Sequence, residues 1–508
     1  MLDGSRNALY SEPTMQPTFR AQLFINGEYV PAANGKTFPV LNPANNEVLT
    51  AIAEAGVEDV DRAVRAARKA FDDGPWPKMK TAERTRLIRR FAELLVKHAP
   101  ELERIESLDV GKPLKESGGH DIPRAANNFS FFADALSQWA QDAHWAESNS
   151  LGQEVNLLSV TMRQPLGVAG IIIPWNSPMM LGTWKLAPCL AVGCTAVLKP
   201  SELAPLSLMK LGEIAQEAGL PPGVLNLISG FGDVGAALTT HPRVNAVSFT
   251  GGVATGKQVM RAAADTLKRV SLELGGKSPN LVFADADLDL AVKGAVRAIF
   301  RSQGQSCVAG SRLLLQDAIY ERFIDRFLSA VANLKVGDPL DPATDFGPLI
   351  TARHRERVEG FIQSGLDEGA RLLTGGKRPS DPALHKGNYL LPTVFEGVTS
   401  SMRVCREEIF GPVLSVQRFR DEAEAIRLAN ETVYGLAGFL WTQDVNRALR
   451  VASAVKTGML WVNSFFLRDL RTPFGGARES GVGREGGRYS LEFYTEAKFI
   501  CIPYDRTE

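Results

Sequence analysis

Between Gly167 and Leu274 the chain alternates apolar, strand-like runs with helical ones, and this alternation restricts its fold more than any other feature. The runs Gly167–Ile173, Thr195–Lys199, Val224–Ile228, Ala246–Phe249 and Val270–Leu274 read as strands. Helices are expected from Pro178, near Leu206–Ala218, near Val234–Thr240 and from Ala254. Strands joined by helical crossovers pair in parallel, with helices covering both faces of the sheet. The expectation is an α/β fold whose first sheet is Rossmann-like. After Gly276 a second series begins, with strands expected at Pro279–Phe283, Ser311–Leu315, Arg371–Thr374, Leu391–Glu396, Leu414–Arg418, Gly438–Trp441 and Met459–Val462. That is material for a second α/β domain, and 508 residues are too many for one hydrophobic core.

The flanking segments read differently. Turn residues Asn26-Gly27 and Asn34-Gly35 between Gln22 and Pro43 predict one or two hairpins. Helical spacing runs from Val57 to Lys112, and a further helix is expected from Ile122 to Trp139. Glu492–Ile502 alternates weakly, as a strand that pairs with another segment or another chain. Residues 1–19 read as a disordered lead-in without an apolar signal core, and Met15 is a candidate start behind extra residues. The most apolar stretch, Leu166–Leu198, is broken by Pro174, Asn176, Pro178, Lys185 and Pro188, which argues against a membrane span.

Charge and cysteine usage exclude several function classes. Fifty-seven basic residues balance 57 acidic ones, so neither a nucleic acid nor an anionic membrane is expected as a partner. The five cysteines are odd in number, widely spaced and free of CxxC pairs, which fits a reducing compartment and makes the cytoplasm the expected location. The six histidines are scattered, and no metal is expected.

Five short motifs carry candidate chemistry. Cys307, in Gly304-Gln305-Ser306-Cys307, follows the helical run Ala291–Phe300. As a nucleophile it needs a lowered pKa, which converging backbone N–H groups supply; taken alone, a buried structural cysteine is the commoner outcome. Glu273, in Leu272-Glu273-Leu274-Gly275-Gly276-Lys277, ends a strand where α/β enzymes place their ligands, and two glycines allow close backbone approach. Asn176, in Pro174-Trp175-Asn176, ends the first strand and offers an amide to an oxyanion, or simply forms a turn. Lys199-Pro200-Ser201-Glu202 closes the second strand, where dinucleotide folds carry an acid for the adenosine ribose. Phe249-Thr250-Gly251-Gly252-Val253-Ala254-Thr255-Gly256 leads from strand to helix and would admit a pyrophosphate to a helix N-terminus, although it is not GxGxxG.

In this order the motifs resemble the aldehyde dehydrogenase superfamily, from Phe24-Ile25-Asn26-Gly27 to Pro473-Phe474-Gly475-Gly476. The resemblance implies Cys307 as nucleophile, Glu273 as general base and Asn176 as oxyanion amide. It implies cofactor contacts at Ile172, Pro174, Trp175, Lys199, Ser201, Glu202, Gly232, Phe249, Thr250, Gly251, Gly252 and Leu274. Glu408 and Phe410, in Glu407-Glu408-Ile409-Phe410-Gly411-Pro412, match the residues that hold the nicotinamide ribose and ring. Gly252 departs from the serine many relatives carry. The implied cofactor is NAD, with NADP accepted by relatives that have the same acid. The implied domains are a cofactor domain at 20–140 and 160–275, a catalytic domain at 276–475, and an oligomerisation segment at 141–159 with 485–508. A homodimer or homotetramer is the expected assembly.

The stretch Phe465-Phe466-Leu467-Arg468-Asp469-Leu470-Arg471-Thr472-Pro473 further resembles the branch that oxidises muconic semialdehydes, 2-hydroxymuconic and 2-aminomuconic. In that branch arginines matching Arg471 and Arg124 grip the substrate carboxylate; otherwise these are surface charges. The alternatives are a general aliphatic or aromatic aldehyde dehydrogenase, a CoA-acylating enzyme, which the hydrolytic base argues against, and a non-catalytic scaffold, which would be expected to have lost Cys307 or Glu273.

Overall fold

A computed structural model describes residues 17–150 and 153–504. Residues 1–16 of the expected lead-in lie outside these, as do residues 505–508. The strands form two large sheets, a three-stranded sheet and a hairpin.

The first sheet places Arg269–Glu273, Ala246–Thr250, Val168–Ile172, Thr195–Lys199 and Leu225–Leu227 side by side, all parallel. The order reverses at Val168–Ile172, which gives the Rossmann-type switch point beside it. The strand residues alternate between two cores because successive side chains point to opposite faces. Ile171, Ala196 and Leu198 face a core built with the helices Ile122–Ser137 and Pro178–Val192. Val168, Val197 and Val247 face one built with the helix Val57–Asp72. Pro178–Val192 is apolar nearly all round and buried accordingly, and Gly193 ends it at φ +100°. At one edge the hairpin strands Leu23–Ile25 and Glu28–Val30 turn at Asn26–Gly27 and pair antiparallel, and at the other edge Gly481–Val482 does the same.

The second sheet runs Arg371–Thr374, Thr393–Glu396, Val413–Phe419, Arg312–Gln316, Pro279–Val282, Ala437–Trp441, Met459–Val462, parallel except for its first pair. In the third sheet Gln153–Pro165 lies between Ala143–Ser150 and Thr495–Tyr504. The boundary expected at residue 159 therefore falls inside a strand, which continues unbroken to Pro165 because its whole second half pairs with the C-terminal strand. The helix expected from Ile122 to Trp139 stops at Ser137, and the chain enters it through a π-turn over Ser117–Asp121. Among the described residues no helix is long and apolar enough to cross a membrane.

Candidate active site

The carboxyl ends of the first sheet's strands deliver most of the polar groups. Glu273 is the last residue of its strand, and Asn176 follows the end of Val168–Ile172. Cys307 comes from the segment between Pro279–Val282 and Arg312–Gln316, neighbouring strands of the second sheet. Its loop leaves the helix Leu288–Phe300 through three consecutive left-handed residues, Ser302, Gln303 and Gly304, at φ +51°, +57° and +69°. Two of the three are not glycine, a costly backbone that persists only when its surroundings enforce it. Glu116 enforces it by accepting from the Ser302 N–H at 3.1 Å and from its hydroxyl at 2.7 Å. Gly304 has no room for a side chain, since a Cβ there would lie 2.2 Å from the Gly411 carbonyl.

Glu273, Asn176 and Cys307 come close together: the Glu273 charge acts on the Cys307 thiol, and Asn176 bonds to the cysteine's loop. Asn176 Nδ2 donates to the Gln305 carbonyl at 3.0 Å, which ties the amide to the cysteine's loop and leaves its second hydrogen unused by that bond. Burial pushes the Cys307 thiol up to about 12, and the charges of Glu408 and Glu273 add to the shift. The backbone N–H groups of Cys307 and Val308 pull it down, as expected for a nucleophile, but they do not outweigh burial and two carboxylates. Glu273 is buried, neither of its oxygens has a hydrogen-bond partner, and its pKa is raised by burial and by Glu485. Glu485 itself closes on buried Lys185, which also donates to Ser248 at 3.0 Å.

A groove of about 400 Å³ runs along the switch point. Of the expected cofactor residues, Ile172, Pro174, Trp175, Lys199, Ser201, Glu202, Gly232, Phe249, Thr250, Gly251 and Gly252 line it. Buried Lys199 stands 3.9 Å from Glu202, and the Ser201 hydroxyl lies 3.4 Å from the same carboxylate. Gly252 caps the helix Val253–Ala264, and a Cβ at Gly232 or Gly252 would meet no atom within 4 Å, so both positions face open space. The Thr250 hydroxyl is buried without a partner. Leu274 is different: its side chain packs into the core against Gly256 and leaves only its backbone for a ligand. Glu408 and Phe410 stand beyond the groove's lining, toward Cys307. Glu408 accepts from the Gly276 N–H at 2.9 Å, and burial raises its pKa to about 7. The Phe410 ring meets Trp175 edge-on at 5.2 Å.

The two expected carboxylate arginines part company. Arg471 is 80% exposed and closed on Asp469, which also anchors its backbone N–H. It does not enter the site. The arginine that does is Arg468, three residues earlier: its guanidinium lies 5.0 Å from the Trp184 ring and 4.3 Å from Phe474. Arg124 lies 5.5 Å from the same Trp184 and donates to Asn128 at 3.1 Å. Burial lowers both to about 10, and Arg124 adds its repulsion to Arg468, yet among the described residues neither has a carboxylate within ion-pair distance. Sequence reasoning missed Arg468 because two arginines three apart in an irregular loop carry no periodicity to say which turns inward. Lys185 and Glu485 gave no local signal at all; 300 residues separate them.

The model of the aldehyde dehydrogenase family matches residues 29–500 of this chain. The chain belongs to that family. This aldehyde dehydrogenase is 47% identical to the 2-hydroxymuconic semialdehyde dehydrogenase of Pseudomonas sp. (strain CF600), over 94% of this chain and 98% of the relative. It is 44% identical to the betaine aldehyde dehydrogenase of Bacillus subtilis, over 94% and 96%. Among solved structures, the AldA indole-3-acetaldehyde dehydrogenase of P. syringae in complex with NAD+ and IAA superposes with TM-score 0.93 at 42% identity, covering 96% of this chain and 98% of that one. HpcC from Thermus thermophilus gives TM-score 0.91 at 48% identity, covering 98% and 94%.

Proposed function

We propose that this aldehyde dehydrogenase uses NAD+ to oxidise a semialdehyde whose far end carries a carboxylate. The observation that carries the substrate class is the Arg124–Arg468 pair: two half-buried guanidinium groups share one tryptophan and have no counter-ion among the described residues. An uncompensated buried charge is costly, so an anion from the substrate is the natural partner. Arginine's planar fork suits a carboxylate through two parallel hydrogen bonds.

The residues of the cleft divide the work. The Cys307 sulfur attacks the aldehyde carbon, and the oxyanion of the resulting thiohemiacetal is met by the Asn176 amide and the Cys307 N–H. NAD+ held by the groove residues would supply the hydride acceptor for the oxidation to the thioester, and its positive charge would favour the thiolate. Glu273 takes a proton from water, which then cleaves the thioester and frees Cys307. The partnerless Thr250 hydroxyl, the open faces at Gly232 and Gly252 and the helix N-terminus at Gly252 fit a pyrophosphate in the groove. Glu202 at its adenosine end favours NAD+ over NADP+, because a carboxylate repels a 2′-phosphate.

The third sheet serves assembly in this reading: Trp145 and Ile502, level with each other on one face, are 70% and 48% exposed, and Phe499 on the opposite face is 69% exposed, apolar surface that a second copy of the chain would cover. Its free, widely spaced cysteines support a cytoplasmic location, since they suit a reducing compartment. A kinetic screen tests the substrate class. Carboxylate-bearing semialdehydes should give higher kcat/KM than neutral aliphatic and aromatic aldehydes, by NADH absorbance; equal values for both sets would remove the arginine pair's role.

A further inference from the structure

Ser177 stands between Asn176 and the helix Pro178–Val192, where a serine ordinarily turns its hydroxyl back to cap the first N–H groups of the helix. Here it makes no such cap. The Met179 N–H goes instead to the buried Glu106 carboxyl at 3.4 Å, and Pro178 has no N–H to satisfy. The Ser177 oxygen is left for Lys112, whose Nζ donates to it at 2.5 Å.

Lys112 is aimed there by its own surroundings. Gly111 ends the helix Ala99–Val110 at φ +82°, and a Cβ on it would lie 2.8 Å from Pro348. The chain turns sharply at this residue and sends Lys112 inward, where it is 2% exposed. A buried ammonium needs a counter-ion. Asp121, the last residue of the π-turn Ser117–Asp121, supplies it, and His120 Nδ1 lies 2.8 Å from the other oxygen of that carboxylate. Against the burial that would raise it, the Lys112 charge holds the Asp121 carboxyl well below the usual range. Asn176 is fixed separately by its bond to the Gln305 carbonyl. The turn that carries the oxyanion amide is therefore anchored twice, through Asn176 itself and through the residue after it.

We propose that Lys112 and Ser177 are positioning residues for the reaction: their hydrogen bond fixes the turn that carries Asn176, so that the amide is already aimed when the oxyanion forms. The inference rests on the reading of Asn176 as the oxyanion amide. A donor aimed in advance needs no rearrangement at the moment of reaction, which is where such donors gain their effect.

The test follows NADH formation in the first turnover of hexanal by stopped-flow. Ser177→Ala removes the bond while Lys112 keeps Asp121, so no buried charge loses its partner. The first-turnover rate at saturating hexanal is expected to fall about tenfold, less than the loss of a whole oxyanion donor. The half-saturating hexanal concentration, and the Kd of NAD+ by calorimetry, should stay within twofold. Ser177→Thr, which keeps the hydroxyl, should restore most of the rate. Lys112→Met combined with Asp121→Asn, which removes the ion pair as a neutral unit, should also slow the first turnover. The decisive comparison is with Asn176→Ala. In that background Ser177→Ala should change the rate less than twofold, since no amide is left to aim. An unchanged rate in Ser177→Ala, or the same tenfold fall in both backgrounds, overturns the proposal. So does a change confined to the half-saturating concentration, which would make Ser177 a substrate contact instead. Failure of the oxyanion reading shows separately, as an Asn176→Ala variant whose first turnover is as fast as wild type.

Discussion

A thiol held near 12 is a poor nucleophile at neutral pH, and the chain's own N–H groups do not cure this. A cation beside the sulfur would. Alkylation of Cys307 by iodoacetamide at pH 7 is therefore expected to be slow without cofactor and several-fold faster with saturating NAD+, followed by mass spectrometry of the Cys307 peptide; equal rates would contradict this electrostatic account. Glu273 carries the opposite requirement. Its raised pKa means that it holds a proton where an exposed glutamate would not, and only the ionised form can accept one from water. Turnover should rise with pH as Glu273 ionises, and the rise should vanish in Glu273→Gln, with kcat greatly reduced. The arginines separate cleanly: Arg468→Ala should raise KM for a carboxylate-bearing semialdehyde at least tenfold over its effect on hexanal, and Arg471→Ala should change either value less than twofold, because its charge is spent on Asp469 in solvent. Steady-state assays on both variants decide which of the two reaches the substrate.

At the scale of elements, the helix Ala99–Val110 supports the oxyanion loop from below. Its Glu106 is fully buried and accepts from the Met179 N–H at 3.4 Å, at the start of the helix Pro178–Val192. Burial, with Asp121 nearby, raises Glu106 from 4.5 to about 7, against the pull of Lys112. The folded protein thus keeps a proton that the unfolded chain releases near pH 4.5. Stability should fall as pH rises between these two values and level off above the higher one, a loss of about 3 kcal/mol if Glu106 acts alone. Glu106→Gln should flatten this slope, and its Tm relative to wild type should be higher at pH 8 than at pH 5; an unchanged slope would rule Glu106 out. Elements of this kind mark the limit of the sequence. The parallel strands were legible because each is an apolar run bounded by turns; Cys307, Glu273 and Asn176 were singled out through the resemblance that the order of their motifs carries, since each motif alone fits a structural residue as well. The inward turn of Arg468, the π-turn at Ser117–Asp121 and the Lys185–Glu485 pair were not, since each depends on contacts between segments far apart in the chain.

Across the whole molecule, the site draws on two sheets: the strands of the first bring the base and the oxyanion amide, and the segments around the second bring the nucleophile and Glu408. The third sheet stands apart from this chemistry, with exposed apolar side chains along its C-terminal strand. Phe499→Asp is expected to lower the mass seen by light scattering, and an unchanged mass would contradict the proposed role of this sheet in assembly. The chemistry itself is best tested by trapping. Glu273→Gln mixed with NAD+ and 2-hydroxymuconic semialdehyde should release one equivalent of NADH in a burst and accumulate an acyl group on Cys307, visible by peptide mass. Steady NADH production without any adduct on Cys307, or an adduct on another cysteine, would contradict the assignment of this sulfur as the atom that attacks the aldehyde.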